Sequence, residues 1–315
     1  MSVIEELDIP LEGEVFSVDH EDLPENSYIL RMEPAQKIHS NPLLWGEELR
    51  AYTRDCSNKF FRAAQELVPE LDGIKNNEIS EVVILRGGLA YQLDSAFSNV
   101  FDSYLPRCFV GARRHRVTKD EFEAELSYSN FEPLPDNGVV VIGDTIATGA
   151  SVSRTIAEVR DELRKREKEI KSLIVFSAGA AFRGCSRLSD WIERFREWWP
   201  DFDLHVFVAE AFFGLDSGTH LRYRKPGEAI VPETSKEFVN EAFGDYEDAY
   251  LPGNICAIFD WGDRNFKPDR HLKDVLQYSK VARKEAEDKE SLDFLRKLEK
   301  GAKEEMKKFK SPIKQ

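Results

Sequence analysis

Apolar residues along this chain fall into short unbroken runs, separated by stretches in which they recur every third or fourth position. Val82-Val83-Ile84-Leu85, Cys108-Phe109-Val110-Gly111, Val139-Val140-Val141-Ile142, Leu173-Ile174-Val175-Phe176 and Leu204-His205-Val206-Phe207-Val208-Ala209 are the runs. Their length and β-branched content predict strands buried on both faces. Residues 89–104, 151–168 and 190–198 carry helical spacing between the runs, and residues 44–68 predict an amphipathic helix ahead of them. Strands alternating with helices predict a mostly parallel sheet. Right-handed crossovers then make the fold a doubly wound α/β core.

The flanks depart from this rhythm. Residues 1–40 are acidic and interrupted by Pro10, Pro24 and Pro34, which predicts an irregular arm packed on the core. Residues 214–254 are rich in Gly, Pro, Asp and Glu, residues 255–259 suggest one late strand, and residues 279–310 predict a long charged helix. That helix is either a solvated face or a docking element for a second subunit. The expected organisation is an extension over 1–41, an α/β domain over 42–270 with an insertion at about 217–254, and a helical tail over 271–315.

The chain has 315 residues, with 58 acidic against 44 basic side chains and a net charge of -14. It is long enough to bury a large core as one domain or two. The acid excess argues against nucleic acid as a partner, because such binding needs a phosphate-neutralising surface. A local basic site for a small anion remains compatible with it. No apolar stretch reaches the roughly 18–20 residues of a membrane span. The acidic start lacks the basic and apolar regions of a secretory signal. Cys56, Cys108, Cys185 and Cys256 are scattered without a CxxC pair, which predicts neither a zinc knuckle nor a disulfide framework. The expected setting is a reducing cytoplasm with no membrane partner.

The chemistry concentrates in VVVIGDTIATGAS, residues 139–151. A buried strand ends at Ile142, Asp144 follows, and Ala147-Thr148-Gly149-Ala150-Ser151 runs into a helix. Ligands of parallel sheets bind beyond the carboxyl ends of the strands. A small-residue loop opening a helix offers N–H groups, hydroxyls and the positive end of the macrodipole to a phosphate. Asp144 stands where a carboxylate accepts hydrogen bonds from sugar hydroxyls. The ending is neither a Walker loop nor a GxGxxG fingerprint, and capping of the helix alone is the plainer reading of Thr148 and Ser151.

The segment resembles the phosphoribosyl-pyrophosphate (PRPP) motif of the type I phosphoribosyltransferases, and its ATGAS ending is similar to the ATGGS of uracil phosphoribosyltransferase. Leu85-Arg86-Gly87-Gly88-Leu89 resembles that enzyme's pyrophosphate loop. Phe109-Val110-Gly111-Ala112-Arg113-Arg114, running on to Leu134-Pro135, resembles its flexible hood. Gly214-Leu215-Asp216 and Phe259-Asp260-Trp261-Gly262-Asp263-Arg264-Asn265-Phe266 are similar to the segments around its uracil site, and Phe61-Arg62 matches its FR pair. The likeness spans roughly residues 42–267.

The resemblance implies transfer of 5-phosphoribosyl from PRPP to a nucleobase, uracil first, giving UMP and pyrophosphate with Mg²⁺ as cofactor. It implies catalytic roles for Arg86, Arg114, Asp144 and Asp260, and a phosphate cradle of Ala147, Thr148, Gly149, Ala150 and Ser151. Arg86, Gly87 and Gly88 would bind pyrophosphate, with a non-proline cis peptide near Arg86-Gly87. Phe259, Trp261 and Gly262 would shape the base slot. No residue would ligate metal directly except Asp260, the ion arriving with PRPP, and a homodimer is expected. Arg86 suits the pyrophosphate role because a guanidinium takes phosphate oxygens bidentately and the adjoining glycines admit close approach. Arg113, Arg114, His115 and Arg116 are read as a basic cluster on a mobile loop that closes over the donor, with an exposed turn balanced by Asp120, Glu121 and Glu123 as the plainer reading.

Two departures keep alternatives open. Gly143 stands where the family commonly carries the first acid of its sugar-binding pair, and a long insertion separates Asp216 from Asp260. The alternatives are a non-catalytic regulator that senses PRPP or nucleotide, and a phosphoribosyltransferase for a different acceptor.

Overall fold

A computed structural model describes residues 2–11, 13–118, 122–215, 229–244, 250–259 and 261–309. In chain order the elements are β1 (Val3–Leu7), β2 (Glu14–Asp19), β3 (Asn26–Arg31), α1 (Glu33–Ser40), α2 (Gly46–Leu67), β4 (Ile79–Leu85), α3 (Leu93–Phe101), β5 (Arg107–Arg116), β6 (Phe122–Asn130) and β7 (Gly138–Gly143). They continue with α4 (Ala150–Lys165), β8 (Ile170–Ser177), β9 (Ala180–Ala181), α5 (Phe182–Arg196), β10 (Asp203–Ala209), β11 (Phe212–Phe213), α6 (Lys236–Phe243), α7 (Pro252–Ile258), α8 (Trp261–Phe266), α9 (Pro268–Ala282) and α10 (Lys289–Lys308).

Among the described residues the main sheet has nine strands in the order β1-β2-β3-β10-β8-β7-β4-β5-β6. Pairings from β3 through β5 are parallel, and the β1–β2, β2–β3 and β5–β6 pairings are antiparallel. All six residues of β7 are buried, as continuous apolar strands covered on both faces require. One face packs on α4 and α5 through Val140, Ile142, Ile156, Val159 and Leu188. The other packs on α2 and α3 through Val139, Val141, Phe60, Phe61 and Ala96. The molecule is therefore α/β with a large, mostly parallel sheet.

Five expectations need correction. The acidic arm is not irregular: β1 to β3 extend the sheet, and β3 lies parallel to β10 with Tyr28 stacked on Phe207 at 4.8 Å. Its prolines fall between elements or in the first turn of α1, where a missing N–H costs nothing. Glu210, fully buried at the end of β10, ties this arm to the rest. Its carboxylate accepts from Met32 N–H at 2.6 Å, Gln36 at 3.1 Å and Ser235 at 2.9 Å.

The segment at 255–259 is helix α7 rather than a strand, because Pro252 opens a turn and Ile255 and Cys256 bury one side of it. Short apolar runs do not separate the two structures by periodicity. The hood is a β-hairpin: β5 continues through Arg116 and pairs with β6. The helix at 89–104 is a short 3₁₀ turn followed by α3, broken where Gln92 adopts φ 51°. The long terminal helix is the antiparallel-packed pair α9 and α10, joined by residues 283–288. Among the described residues no helix is long and apolar enough to cross a membrane.

Candidate functional site

A cavity of about 220 Å³ opens beyond the carboxyl ends of β4 and β7. Its walls bring together Arg86, Gly87, Arg114, Asp144, Ala147, Thr148, Gly149, Ala150, Ser151, Phe259, Trp261 and Gly262. Four segments far apart in sequence thus meet at the edge of the sheet where ligands of such folds are held. Gly88 does not line it and instead packs beside the Gly143 carbonyl. Asp260 and Asp216 lie outside the described residues.

The loop from Ala147 to Ser151 forms one end. Gly149 precedes α4 with φ 74°, a conformation that disfavours side chains, and no side chain caps the first turn of the helix. The N–H groups of Ala150, Ser151 and Val152 therefore stand at the cavity with the positive end of the macrodipole. The loop is braced from behind by α5. Arg187 donates to the Thr148 carbonyl at 3.1 Å, and a Cβ on Gly149 would lie 2.5 Å from the Gly184 carbonyl oxygen.

Arg86 forms the opposite wall. The non-proline cis peptide is at Leu85-Arg86, one bond before the expected position. The Arg86 guanidinium donates to Asp263 at 2.7 Å, and Arg270 approaches the other oxygen of that carboxylate at 3.6 Å. Asp263 belongs to the WGDR stretch, yet its pairing with Arg86 involves residues far apart in sequence and carried no sequence signal.

Between these ends stands Asp144, whose Oδ1 accepts from the Thr145 N–H at 2.9 Å. Beneath it Tyr91 is buried, with its hydroxyl 3.3 Å from Thr145 Oγ1 and accepting from Ala178 N–H at 3.0 Å. Burial, with the Asp144 charge as a lesser contribution, pushes the Tyr91 phenol above the ordinary tyrosine range and keeps it protonated. A Cβ on Gly143 would lie 2.9 Å from the Tyr91 ring, so the glycine follows from the tyrosine. Sequence reasoning passed over both Tyr91 and Thr145.

Phe259, Trp261, Gly262 and Ala257 close the third side. Trp261 is held by the His39 ring at 5.6 Å and by the Arg264 guanidinium at 5.8 Å. Arg264 is fully buried and donates to the carbonyls of Leu44 at 3.2 Å and Asn41 at 3.0 Å, at the carbonyl-rich end of α1. That helix end supplies the negative potential a buried cation needs. Burial keeps His39 neutral by lowering its pKa to about 4.

Arg114 reaches the cavity from β5, as an exposed side chain on a strand rather than on a loose loop. Arg113 and Arg116 do not line the cavity, and Asp120 and Glu121 lie outside the described residues. His115 pairs with Glu123 across the hairpin at 3.5 Å.

Chemically, the described residues of the cavity offer N–H groups and hydroxyls at one end, guanidiniums at another, the Asp144 carboxylate between them and a flat aromatic wall. Among the described residues no cluster of three His, Cys, Asp or Glu side chains is placed to hold a metal ion. A single carboxylate such as Asp144 suits Mg²⁺ carried in on phosphate oxygens, which keeps most of its coordination on phosphate and water. Comparison with models of known protein families and with curated proteins finds no match.

Proposed function

We propose that the chain is a type I phosphoribosyltransferase, which moves 5-phosphoribosyl from PRPP to a nucleobase, uracil in the first instance, and releases pyrophosphate. The observation that carries this reading is the convergence of the 147–151 loop, Arg86 and the Trp261 wall on one cavity. The loop cradles the 5-phosphate, Asp144 takes a sugar hydroxyl, and the base lies against Phe259, Trp261 and Gly262.

As the bond from the anomeric carbon to pyrophosphate lengthens, positive charge grows on the sugar and negative charge on the leaving oxygens. Arg86 meets the leaving oxygens with a two-pronged donor, which counts most where water is excluded. Before that, Arg86 exchanges its Asp263 partner for phosphate oxygens. Arg114 covers the donor from the hairpin and limits hydrolysis, the competing reaction. Mg²⁺, arriving on the diphosphate, would keep most of its coordination on phosphate and water and would supply further positive charge for the leaving group.

The Arg86–Asp263 pair also favours a second reading, in which PRPP binds and swaps that pair without turnover, making the chain a sensor. A pyrophosphate-release assay with PRPP, Mg²⁺ and a panel of free bases separates the two. Release with uracil supports the first reading, and release with another base supports a different acceptor. Binding without release supports the sensor, and no binding ends both.

A further inference from the structure

We propose that Arg270, in the first turn of α9, is a positioning residue for the donor site: it takes over the Asp263 carboxylate when Arg86 turns to the diphosphate. The inference rests on the reading of the cavity as a PRPP site, and adds to it a part for the C-terminal helical pair.

Two guanidiniums share one carboxylate. Arg86 donates to Asp263 Oδ1 at 2.7 Å, and Arg270 Nε lies 3.6 Å from Oδ2. The first contact is a charge-assisted hydrogen bond, and the second is an ion pair just beyond hydrogen-bond length. Arg86 lines the cavity and Arg270 does not. The Asp263 side chain is only 14% exposed. A carboxylate so placed carries a desolvation cost if its cation departs, and that cost holds Arg86 back. A shift of roughly 0.7 Å brings Arg270 Nε within the ~2.9 Å of a hydrogen bond to Oδ2 and meets the cost. The two guanidiniums also repel each other, which loosens Arg86 before the donor arrives.

The backbone around Arg270 is fixed while its side chain is free to move. On one side, buried Arg264 donates to the Leu44 and Asn41 carbonyls. On the other, buried His271 donates through Nε2 to the Pro42 carbonyl at 2.8 Å. Val275, further along α9, packs with Leu295 and Leu298 of α10. The Arg270 side chain itself is 60% exposed and also approaches Asp274, one turn along, at 3.8 Å. Recruitment of Arg86 to the diphosphate is thus eased by a residue outside the cavity, on the C-terminal pair.

The test is calorimetric binding of PRPP and of ribose 5-phosphate, each with Mg²⁺. The proteins are the wild type, Arg270→Ala, Arg270→Lys, Asp263→Asn and the double variant Asp263→Asn/Arg270→Ala. The two ligands share the sugar phosphate, and only PRPP carries the diphosphate that draws Arg86 away. Arg270→Ala should weaken PRPP about two- to fivefold and leave ribose 5-phosphate unaltered. Arg270→Lys should recover most of that loss, because a single ion pair needs the charge rather than the fork. Asp263→Asn, which frees Arg86, should tighten PRPP by a similar factor, and in that background Arg270→Ala should have no further effect. Equal weakening of both ligands by Arg270→Ala, or an unaltered PRPP affinity, overturns the proposal while leaving the PRPP site standing. So does an undiminished loss in the Asp263→Asn background, which would mean that Arg270 meets the diphosphate itself. Failure of the wild type to bind PRPP removes the site and the proposal together.

Discussion

Replacing Gly149 with alanine tests whether the loop before α4 is held in one shape. Two costs add. The backbone sits at φ 74°, where a residue with a Cβ pays roughly 1–2 kcal/mol. The new methyl would lie 2.5 Å from the Gly184 oxygen and 3.2 Å from its carbon atoms, all backbone, so no side chain can swing aside. Overpacking of that kind costs about 1–3 kcal/mol. The total is about 2–5 kcal/mol. If the loop keeps its shape, the whole amount appears as lost stability. At ~2 °C per kcal/mol, the melting temperature then falls by about 4–10 °C. If the loop yields, its N–H groups leave the phosphate position, and affinity drops about tenfold for each 1.4 kcal/mol released that way. Melting without ligand and calorimetric titration with ribose 5-phosphate together account for both routes. A Gly149→Ala protein with unaltered melting and unaltered affinity would refute the argument.

Three further outcomes follow from the same geometry. Arg86→Ala should lower kcat about 100-fold or more by removing a donor at the developing charge. Melting should barely move, since the partly exposed pair with Asp263 contributes no more than about 1 kcal/mol, and Arg86→Lys should recover only part of the rate because an ammonium lacks the fork. Thr148→Val should weaken PRPP binding by roughly 1–3 kcal/mol, read by titration, if its hydroxyl meets the phosphate. Stability should fall on the acid side. Burial lowers His39 and His205 to about 4 and His271 to about 3, so their contributions are complete above the ordinary histidine pKa of 6.5 and vanish as pH drops through 4. Buried Glu81, raised to about 8, acts in the opposite sense: its contribution is complete below 4.5 and is lost as pH rises through 8. Three protons taken up on unfolding against one released leave a slope of up to about 2.7 kcal/mol per pH unit near pH 5–6. Urea titrations at pH 7 and pH 5 measure it, and equal midpoints would contradict these burials.

The legible parts of the chain were those in which one local signal dictates the structure. The run 139–142 is apolar on both faces and ends at small residues, so β7, the loop and α4 follow from it, and the loop does line the cavity. The hairpin was missed because β6 is a mostly exposed ribbon whose residues read as loop. The strands of the arm are hidden because prolines read locally as breaks, and here they fall between strands or open α1 rather than interrupt a strand. The Arg86–Asp263 pair and the Tyr91–Gly143 contact join residues far apart in sequence, and nothing local announces either. The apolar run at 255–259 suits strand and helix alike, and the packing of Ile255 and Cys256 decided it.

The central claim is that the 147–151 turn receives the 5-phosphate of an activated ribose while Arg86 faces its diphosphate. A crystal structure of the protein soaked with PRPP and Mg²⁺ tests it directly. The claim requires phosphate density on the N–H groups of Ala150 to Val152 and the Arg86 guanidinium moved from Asp263 onto the diphosphate. Density elsewhere, with the turn empty and the Arg86–Asp263 pair intact, would contradict it.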